Sequence, residues 1–165
     1  KKITYNTALF KAFKTIPTIG LKCDVVINSL MEGLCEMEKI KYGYGPHLML
    51  DLSDCDPAVL NSLEACFKLL NELPPKIGMT KITQPYVFRY EGRFPGDEGI
   101  TGVVIIAESH ISLHTYPEKK FVFVDLFSCK PFDVDMARNY IIDHFKCRSP
   151  KWHLKERGED FPQHP

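Results

Sequence analysis

The sequence predicts an α+β fold: a two-layer α/β sandwich in which helices pack on one face of a mostly antiparallel sheet. Its 165 residues are 44% hydrophobic and 25% charged, which is the balance of one globular domain long enough to bury a core. Strand patterns dominate residues 46–130, and the two helical patterns are confined to separate segments. We therefore expect about four to six strands and two main helices on one face of the sheet.

The chain divides into an N-terminal extension, residues 1–44, and a domain that spans residues 45–165. The extension has apolar residues at roughly helical spacing but no chemical motif, so its simplest interpretation is a segment that packs or lines a dimer. The domain opens with a strand pattern at residues 47–52, which ends at polar residues.

A helix is predicted to follow this strand, because Asp56-Pro57 combines an N-cap acid with a proline in the first turn. We expect it to stop at Pro74-Pro75. Its apolar stripe comprises Val59, Leu60, Leu63, Cys66, Phe67 and Leu70.

The remaining elements follow from shorter patterns. Ile77 to Phe88 is predicted to be a strand in which Pro85 marks an edge or a bulge. After a polar loop, strands are predicted at 100–108, 110–116 and 121–128, a helix at 133–146 and a short strand at 152–154. The predicted inner face of this second helix comprises Met136, Ala137, Tyr140, Ile141 and Phe145.

Charge and hydropathy exclude several classes of protein. Lysine plus arginine number 21, as do aspartate plus glutamate, so the formal net charge is zero and nucleic-acid binding is disfavoured. The longest strongly apolar run, residues 103–107, is far too short to span a bilayer. The N-terminus lacks a signal-type apolar stretch. These features predict a cytoplasmic protein without a nucleic-acid or membrane partner.

The six cysteines are widely scattered, and no CxxC pair occurs among them. A domain of this size does not need disulfides, so we expect reduced thiols. Because no two cysteines have the spacing of zinc ligands, we expect no metal site built on them.

The residues that indicate chemistry lie between Thr101 and Glu118, where a strongly apolar strand runs into a Glu-Ser-His sequence. Successive side chains of a strand point to opposite faces of its sheet. Two histidines and a hydroxyl therefore share one face, whereas two aliphatic side chains share the other. The polar set is His110, Ser112 and His114, and the apolar set is Ile111 and Leu113.

Three kinds of chemistry are open to these residues. A Ser–His–Asp hydrolase would need a GxSxG elbow, which is absent. A metal site might use His110 and His114 with Glu108 or Glu118, but a third ligand at typical spacing is not clear. In the third possibility the Ser109 hydroxyl attacks the carbonyl before it and cleaves the chain, while an imidazole manages the proton transfers.

This stretch resembles the signature of the prokaryotic-type S-adenosylmethionine decarboxylases, which are self-processing proenzymes. Their strand is followed by Glu-Ser-His, a hydrophobic–polar–hydrophobic triplet, His-Thr, an aromatic residue and Pro-Glu, as in residues 108–118 here. Further along the chain, the family has an acidic residue, two apolar residues, a small hydroxyl residue and a cysteine. Residues 125–129 resemble this pattern. The family's glycine–histidine strand that ends at a cysteine resembles residues 45–55, and a Glu-Arg-Gly sequence ends the match at residue 158.

The resemblance implies that Ser109 becomes a pyruvoyl group when the chain cleaves itself between Glu108 and Ser109 into pieces of 108 and 57 residues. In the family the keto carbon of this group condenses with the substrate amine and accepts the electrons released with CO2. An external cofactor such as pyridoxal phosphate does this elsewhere, so no external cofactor and no metal are implied.

The resemblance also assigns roles to three further residues. His114 matches a histidine that assists self-processing, and Thr101 replaces a serine with the same task while keeping its hydroxyl. Cys129 matches the thiol that returns a proton to the decarboxylated carbon. In the family these groups come from two protomers, so a homodimer, or a dimer of cleaved pairs, is implied.

The chain departs from the family at the positions that are expected to recognise the substrate. Tyr116 replaces the usual tryptophan, and the loop before Thr101 is longer and acidic. Phe94 is the nearest candidate for the aromatic that stacks on the substrate adenine. The other candidates for substrate binding are Glu118, Asp97 and Glu98, of which the last two suit a guanidinium or ammonium group.

Three functions are therefore considered. The leading one is a pyruvoyl-dependent decarboxylase of polyamine biosynthesis, which converts S-adenosylmethionine to the aminopropyl donor. The first alternative keeps this fold and mechanism but acts on L-arginine or L-ornithine. The second is a non-catalytic homologue with a regulatory role.

Overall fold

The computed structural model describes residues 44–107 and 109–162. Apart from Tyr44, the N-terminal extension predicted for residues 1–44 lies outside the described residues. The elements, in chain order, are β1 (Gly45–Ser53), α1 (Pro57–Leu60), α2 (Leu63–Lys76), β2 (Tyr86–Tyr90), β3 (Gly99–Ile106), β4 (Ser109–Tyr116), β5 (Phe121–Phe127), α3 (Val134–His144) and β6 (Ser149–Arg157). In the described part of the chain, no helix is long and apolar enough to cross a membrane.

All six strands join one sheet in the order β2-β3-β4-β5-β1-β6, and every neighbouring pair is antiparallel. The strands β3, β4 and β5 are consecutive neighbours, and β1 lies between β5 and β6. Ile106 pairs with Ser109, so only two residues connect β3 to β4. The predicted antiparallel α+β sheet is confirmed, with six strands.

The two faces of the sheet differ sharply. Helix α2 packs against β2, β3 and β4, while α3 packs against β1, and both cover the same apolar face. This face is supplied by alternate residues: Leu48, Leu50, Leu52, Val104, Ile106, Ile111, Leu113, Val122, Val124 and Leu126. We call the opposite side of the sheet the open face. His110, Ser112 and His114 lie on it, as the period of two predicts.

The first helical pattern forms two helices instead of the one predicted. Asp56 caps α1 by accepting a hydrogen bond from the Ala58 N–H (2.9 Å). Ser62 then caps α2 by accepting one from the Ala65 N–H (3.1 Å). The predicted stripe is wrong at Leu63 and Phe67, which are each about 40% exposed, because α2 turns Cys66, Leu69, Leu70 and Leu73 toward the core instead.

Helix α2 also continues past Pro74-Pro75, where we expected it to stop, and ends at Lys76. Its end is fixed by Gly78, which has a φ of +73°, a conformation that favours glycine. The N–H groups of Gly78 and Met79 bind the Pro75 and Pro74 carbonyls (3.2 and 2.8 Å). These bonds satisfy the carbonyls of the two prolines at the end of the helix.

The strand predicted for Ile77 to Phe88 is wrong over most of its length. Residues 77–79 are used to end α2, and β2 begins only after Pro85. Between them, the Ile82 N–H binds the Ile105 carbonyl (2.9 Å), so this segment runs beside the end of β3 without forming a strand. Strand β3 ends at Ile106, two residues earlier than predicted.

The C-terminal elements agree better with the sequence. Asp133 caps α3 by accepting a hydrogen bond from the Met136 N–H (2.9 Å). The predicted inner face is confirmed: Ala137, Ile141 and Phe145 are fully buried, and Met136 and Tyr140 pack against the core. Strand β6 spans nine residues, not the three predicted, and pairs with β1 along its whole length.

The contrast between the two faces can be tested on neighbouring residues of β4. Ile111→Ala should lower the free energy of unfolding by about 3 kcal/mol, because it leaves a cavity in the core. Ser112→Ala, the control on the open face, should change it by less than about 1 kcal/mol. Urea unfolding measures both values. Equal losses would contradict the assignment of the two faces.

The buried imidazole of His144 predicts a pH dependence of stability. Burial lowers the pKa of His144 below its usual 6.5, and its Nε2–H donates to the Ala65 carbonyl (3.0 Å). Below about pH 6.5 the unfolded chain binds a proton that the folded chain resists, so stability falls with pH until the folded pKa is passed. His144→Gln should remove this component. The Tm of the native chain minus that of the variant should therefore decline from pH 7.5 to 5.5, and a constant difference would refute the prediction.

Candidate active site

Antiparallel pairing gives the sheet two ends that matter for the site. Because β4 runs opposite to β3 and β5, its first residue lies beside the last residues of those strands. We call this the Ser109 end; it also holds the start of β1. The opposite end holds the start of β3 and the end of β4, and we call it the His114 end.

Ser109 opens β4 with its hydroxyl inside the structure. Its Oγ is buried and has no hydrogen-bond partner among the described residues. A buried hydroxyl without a partner costs about 1–3 kcal/mol, so folded proteins rarely keep one without a reason. Because this oxygen is not committed to another group, it is available to attack the carbonyl that precedes it. The residue thus fits the conversion that the sequence implies.

Cys129 lies at the same end as Ser109. His110 of β4 pairs with Phe127 of β5. Ser109 is the residue before His110 and Cys129 is the second residue after Phe127, so both lie at this end of the sheet. The Ser128 hydroxyl fixes the turn there, because it donates to the Lys130 carbonyl (2.8 Å) and accepts from the Lys130 N–H (3.0 Å).

Glycine at position 45 allows this turn to approach β1. A Cβ on Gly45 would lie 1.9 Å from the Ser128 carbonyl oxygen and 2.8 Å from the Cys129 Cα. The half-buried Cys129 lines a cavity of about 320 Å³ together with Tyr44, Phe132 and Glu156.

Thr101 and His114 form a second cluster at the His114 end. They pair directly across β3 and β4, and the Thr101 Oγ1 lies 3.1 Å from the His114 Nδ1. His114 is five residues beyond Ser109, which at 3.4 Å per residue is about 17 Å along the strand. An odd separation also places the two side chains on opposite faces. The structure brings Thr101 and His114 together but does not bring them to Ser109 of the same chain.

The sequence analysis missed a polar contact between His47 and Asp125 and an aromatic cluster, both on the open face. The His47 Nε2 lies 3.2 Å from the Asp125 Oδ1, and the Phe127 ring is flanked by His47 and His110. The Arg157 guanidinium lies 4.3 Å from the centre of the same ring. Alternation along β1 and β5 puts these side chains on one face, but only the order of the strands in the sheet shows that they are neighbours.

The acidic loop before β3 is held by contacts within the chain. Asp97 forms an ion pair with Lys119, whose pKa is raised by this hydrogen bond. The Glu98 carboxylate accepts a hydrogen bond from the Gly96 N–H (2.9 Å). Both carboxylates that we expected to receive a cationic substrate therefore already have partners. Phe94 is 62% exposed, so its ring is accessible for stacking on a bound molecule.

Two cavities lie at the His114 end. One, of about 400 Å³, is lined by residues that include Arg89, Tyr90, Glu98 and Glu118. Burial raises the pKa of the Tyr90 phenol, and the nearby Tyr116 raises it further. The other cavity, of about 390 Å³, is lined by Asp97, Tyr116, Lys119, Phe121 and Phe123. Glu118, a predicted substrate contact, therefore faces space that a small molecule can enter.

The metal-site interpretation finds no ligand set in the described residues, where no three His, Cys, Asp or Glu side chains gather closely enough to hold an ion. His110 and His114 both lie on the open face of β4, but they are four positions apart, about 14 Å along the strand.

Comparison with known proteins places the chain among decarboxylases. A family model described as S-adenosylmethionine decarboxylase matches residues 46–158. The chain is 37% identical over 118 residues to the S-adenosylmethionine decarboxylase proenzyme of Thermodesulfovibrio yellowstonii, which covers 71% of this chain and 83% of that protein. It is 33% identical over 105 residues to the corresponding proenzyme of Thermococcus onnurineus, with coverage of 63% and 70%.

A solved structure agrees with these relatives. The crystal structure of the adenosylmethionine decarboxylase from Aquifex aeolicus superposes with a TM-score of 0.60 and 31% sequence identity. The match covers 70% of this chain and 92% of that protein.

Proposed function

The chain belongs to the S-adenosylmethionine decarboxylase family, and we propose that it decarboxylates S-adenosylmethionine to the aminopropyl donor of polyamine biosynthesis. The observation that carries this proposal is the buried Ser109 hydroxyl, which lacks a partner in the described residues and stands in the family's Glu-Ser-His sequence. We assign the activity to residues 45–165 and treat residues 1–44 as an extension, since the family match begins at residue 46.

Self-processing at Ser109 accounts for the proenzyme form of the relatives. The Ser109 Oγ would attack the Glu108 carbonyl, so that an ester replaces the peptide bond and the amide nitrogen gains a proton. Elimination of the Glu108 carboxylate, followed by hydrolysis with loss of ammonia, would leave a pyruvoyl group at position 109. This group supplies the electron sink that decarboxylation of an amino acid needs.

A second copy of the chain is needed to complete the site. Thr101 and His114 are hydrogen-bonded to each other but lie about 17 Å along the strand from Ser109 of their own chain. A twofold axis would place the His114 end of one chain against the Ser109 end of the other, and would create two equivalent sites. We therefore propose a homodimer of cleaved pairs, each site of which combines Ser109 and Cys129 with Thr101 and His114 of the partner chain.

The open face is suited to be the dimer interface. It carries exposed apolar side chains, among which Ile105 and Phe123 are each about 40% exposed. Apolar side chains gathered on one face are typical of an interaction surface. Packing of two open faces would bury these side chains.

His114 and Cys129 have separate tasks in this arrangement. The Thr101 hydroxyl orients the His114 ring through Nδ1, which leaves Nε2 to move the proton between the attacking hydroxyl and the amide nitrogen. Cys129 is proposed as the acid that returns a proton to the carbon from which CO2 has left.

The substrate would bind between the Ser109 end of one chain and the His114 end of its partner. We propose that Phe94 stacks on the adenine and that Glu118 contacts the substrate from its cavity. Because Asp97 binds Lys119 and Glu98 binds the Gly96 N–H, neither carboxylate is preformed for a guanidinium or an ammonium group.

We also propose that the protein works in the cytoplasm, with a small-molecule substrate as its ligand. Cys55, Cys66 and Cys147 are free thiols, as suits a reducing compartment.

Self-cleavage is tested by intact mass under denaturing conditions. The native sequence should give two pieces that meet at the 108–109 bond, and the smaller piece should lack a free amine. Ser109→Ala should remain one chain without activity, since it has no hydroxyl to attack with. Ser112→Ala, in the same strand, should cleave normally. An uncut native chain, or a cut Ser109→Ala chain, would contradict the proposal.

The proton donor is tested with Cys129→Ala, which should cleave normally but decarboxylate at least about 100-fold more slowly. The readout is CO2 released from carboxyl-labelled S-adenosylmethionine, and Cys66→Ala is the control. Normal turnover by the Cys129 variant would refute its role. Labelled arginine and ornithine are assayed in parallel, and CO2 released from either of them but not from S-adenosylmethionine would refute the substrate.

A further inference from the structure

Two cysteines outside the active site lie side by side. Cys55 follows β1, and Cys147 lies between α3 and β6. Their thiols donate to consecutive carbonyls at the end of β1: Cys55 Sγ to the Leu52 oxygen (3.6 Å) and Cys147 Sγ to the Ser53 oxygen (3.1 Å). Cys147 is also close enough to Cys55 to help raise the pKa of its thiol.

The backbone around them is paired on both sides. The Asp56 N–H binds the Phe145 carbonyl (3.0 Å), and the Arg148 N–H binds the Asp54 carbonyl (3.3 Å). Between these two hydrogen bonds, one segment has a single residue, Cys55, whereas the other has two, Lys146 and Cys147. The extra residue, Lys146, has a φ of +50°. This is the pattern of a bulge in an antiparallel pair, with the two cysteines opposite each other.

Such a pair has the spacing of a disulfide. Residues that face each other between ladder hydrogen bonds have Cα atoms about 4.5 Å apart, and disulfides join Cα atoms that are about 4.4–6.8 Å apart. Cys55 and Cys147 therefore need little backbone movement to be bridged.

We propose that Cys55 and Cys147 form a reversible disulfide when the enzyme meets a disulfide oxidant such as oxidised glutathione, and that this bond joins the two pieces of the processed chain. The second part of the inference rests on the proposed self-cleavage. A cut between residues 108 and 109 leaves Cys55 on the larger piece and Cys147 on the smaller one, so the disulfide restores the covalent link that processing removes.

The exchange proceeds in two steps. The Cys147 thiolate attacks one sulfur of oxidised glutathione and releases one glutathione thiolate. Cys55 then loses its proton and attacks the Cys147 sulfur of the mixed disulfide, which releases the second glutathione. Two protein thiols are oxidised, and one glutathione disulfide is reduced to two thiols. Cys147 reacts first because it is the more exposed, and because burial, reinforced by Cys147, raises the pKa of Cys55 to about 12.

The cysteine pair also contacts the His114 end of the sheet. The Cys55 N–H donates to the Lys120 carbonyl (3.0 Å), which closes the turn between β4 and β5. That turn carries Glu118 and also Lys119, the partner of Asp97. A disulfide at Cys55 therefore restrains the backbone on which the turn is anchored.

The test uses the processed enzyme, incubated with oxidised glutathione and then alkylated under denaturing conditions without reductant. Intact mass should show one linked species. Its mass should be the sum of the two pieces minus 2 Da for the disulfide, plus the alkyl groups on the remaining thiols. Dithiothreitol should separate it into the two pieces. Cys147→Ser should leave the pieces separate after oxidation, whereas Cys66→Ala, which lacks a different buried thiol, should still be linked.

Separate pieces after oxidation of the native enzyme would overturn the inference, as would a link that survives in Cys147→Ser. Peptide mapping of the uncleavable Ser109→Ala chain makes the test independent of processing. There, a disulfide-linked pair of peptides that contain Cys55 and Cys147 should appear on oxidation. A chain that never cleaves but forms this disulfide would refute the proposed function alone, whereas a chain that cleaves but never forms it would refute only this inference.

Discussion

The antiparallel register of β3 and β4 is the constraint on which the rest of the site depends. It pairs Ile106 with Ser109 at one end of the hairpin and Thr101 with His114 at the other. Because a strand rises by about 3.4 Å per residue and alternates its faces, the nucleophile and the histidine cannot meet within one chain. The same alternation gives the core one face of the sheet and leaves the polar groups on the other. The proposed composite site, and with it the proposed second copy of the chain, rests on this geometry.

The sheet order also explains how the fold can survive a cut in its own chain. The piece before residue 109 supplies β1, β2 and β3, whereas the piece after it supplies β4, β5 and β6. In the order β2-β3-β4-β5-β1-β6, strands of the two pieces meet at three places: β3 beside β4, β5 beside β1, and β1 beside β6. Separating the pieces would break all three ladders and would divide the core. In the proposed processed enzyme, backbone hydrogen bonds and apolar packing hold the two pieces together, and the proposed Cys55–Cys147 disulfide would add a covalent link.

The sequence was sufficient for features that depend on local periodicity and failed where tertiary contacts decide. Alternation along β4 correctly separated Ile111 and Leu113 from the polar residues, and the Asp133 cap of α3 was readable because capping is local. The break at Ser62 was missed because a new cap begins a second helix there, and the predicted stop at Pro74-Pro75 was wrong because the last turn of α2 includes both prolines and ends just before Gly78. Motifs identified Ser109, Thr101, His114 and Cys129 but not their arrangement. The separation of Ser109 from His114 follows from the sequence once β4 is assigned, whereas the contact of His47 with Asp125 needs the strand order.

A site shared between two chains is tested most directly by complementation. Two inactive proenzymes with different tags are produced together: Ser109→Ala, which cannot be cut but keeps its histidine, and His114→Ala, which keeps its serine. The account predicts that the His114→Ala chain stays whole when produced alone and is cleaved when the Ser109→Ala chain is present. A His114→Ala chain that remains whole in the mixture, or that cleaves itself when alone, would contradict a site built from the Ser109 end of one chain and the His114 end of another.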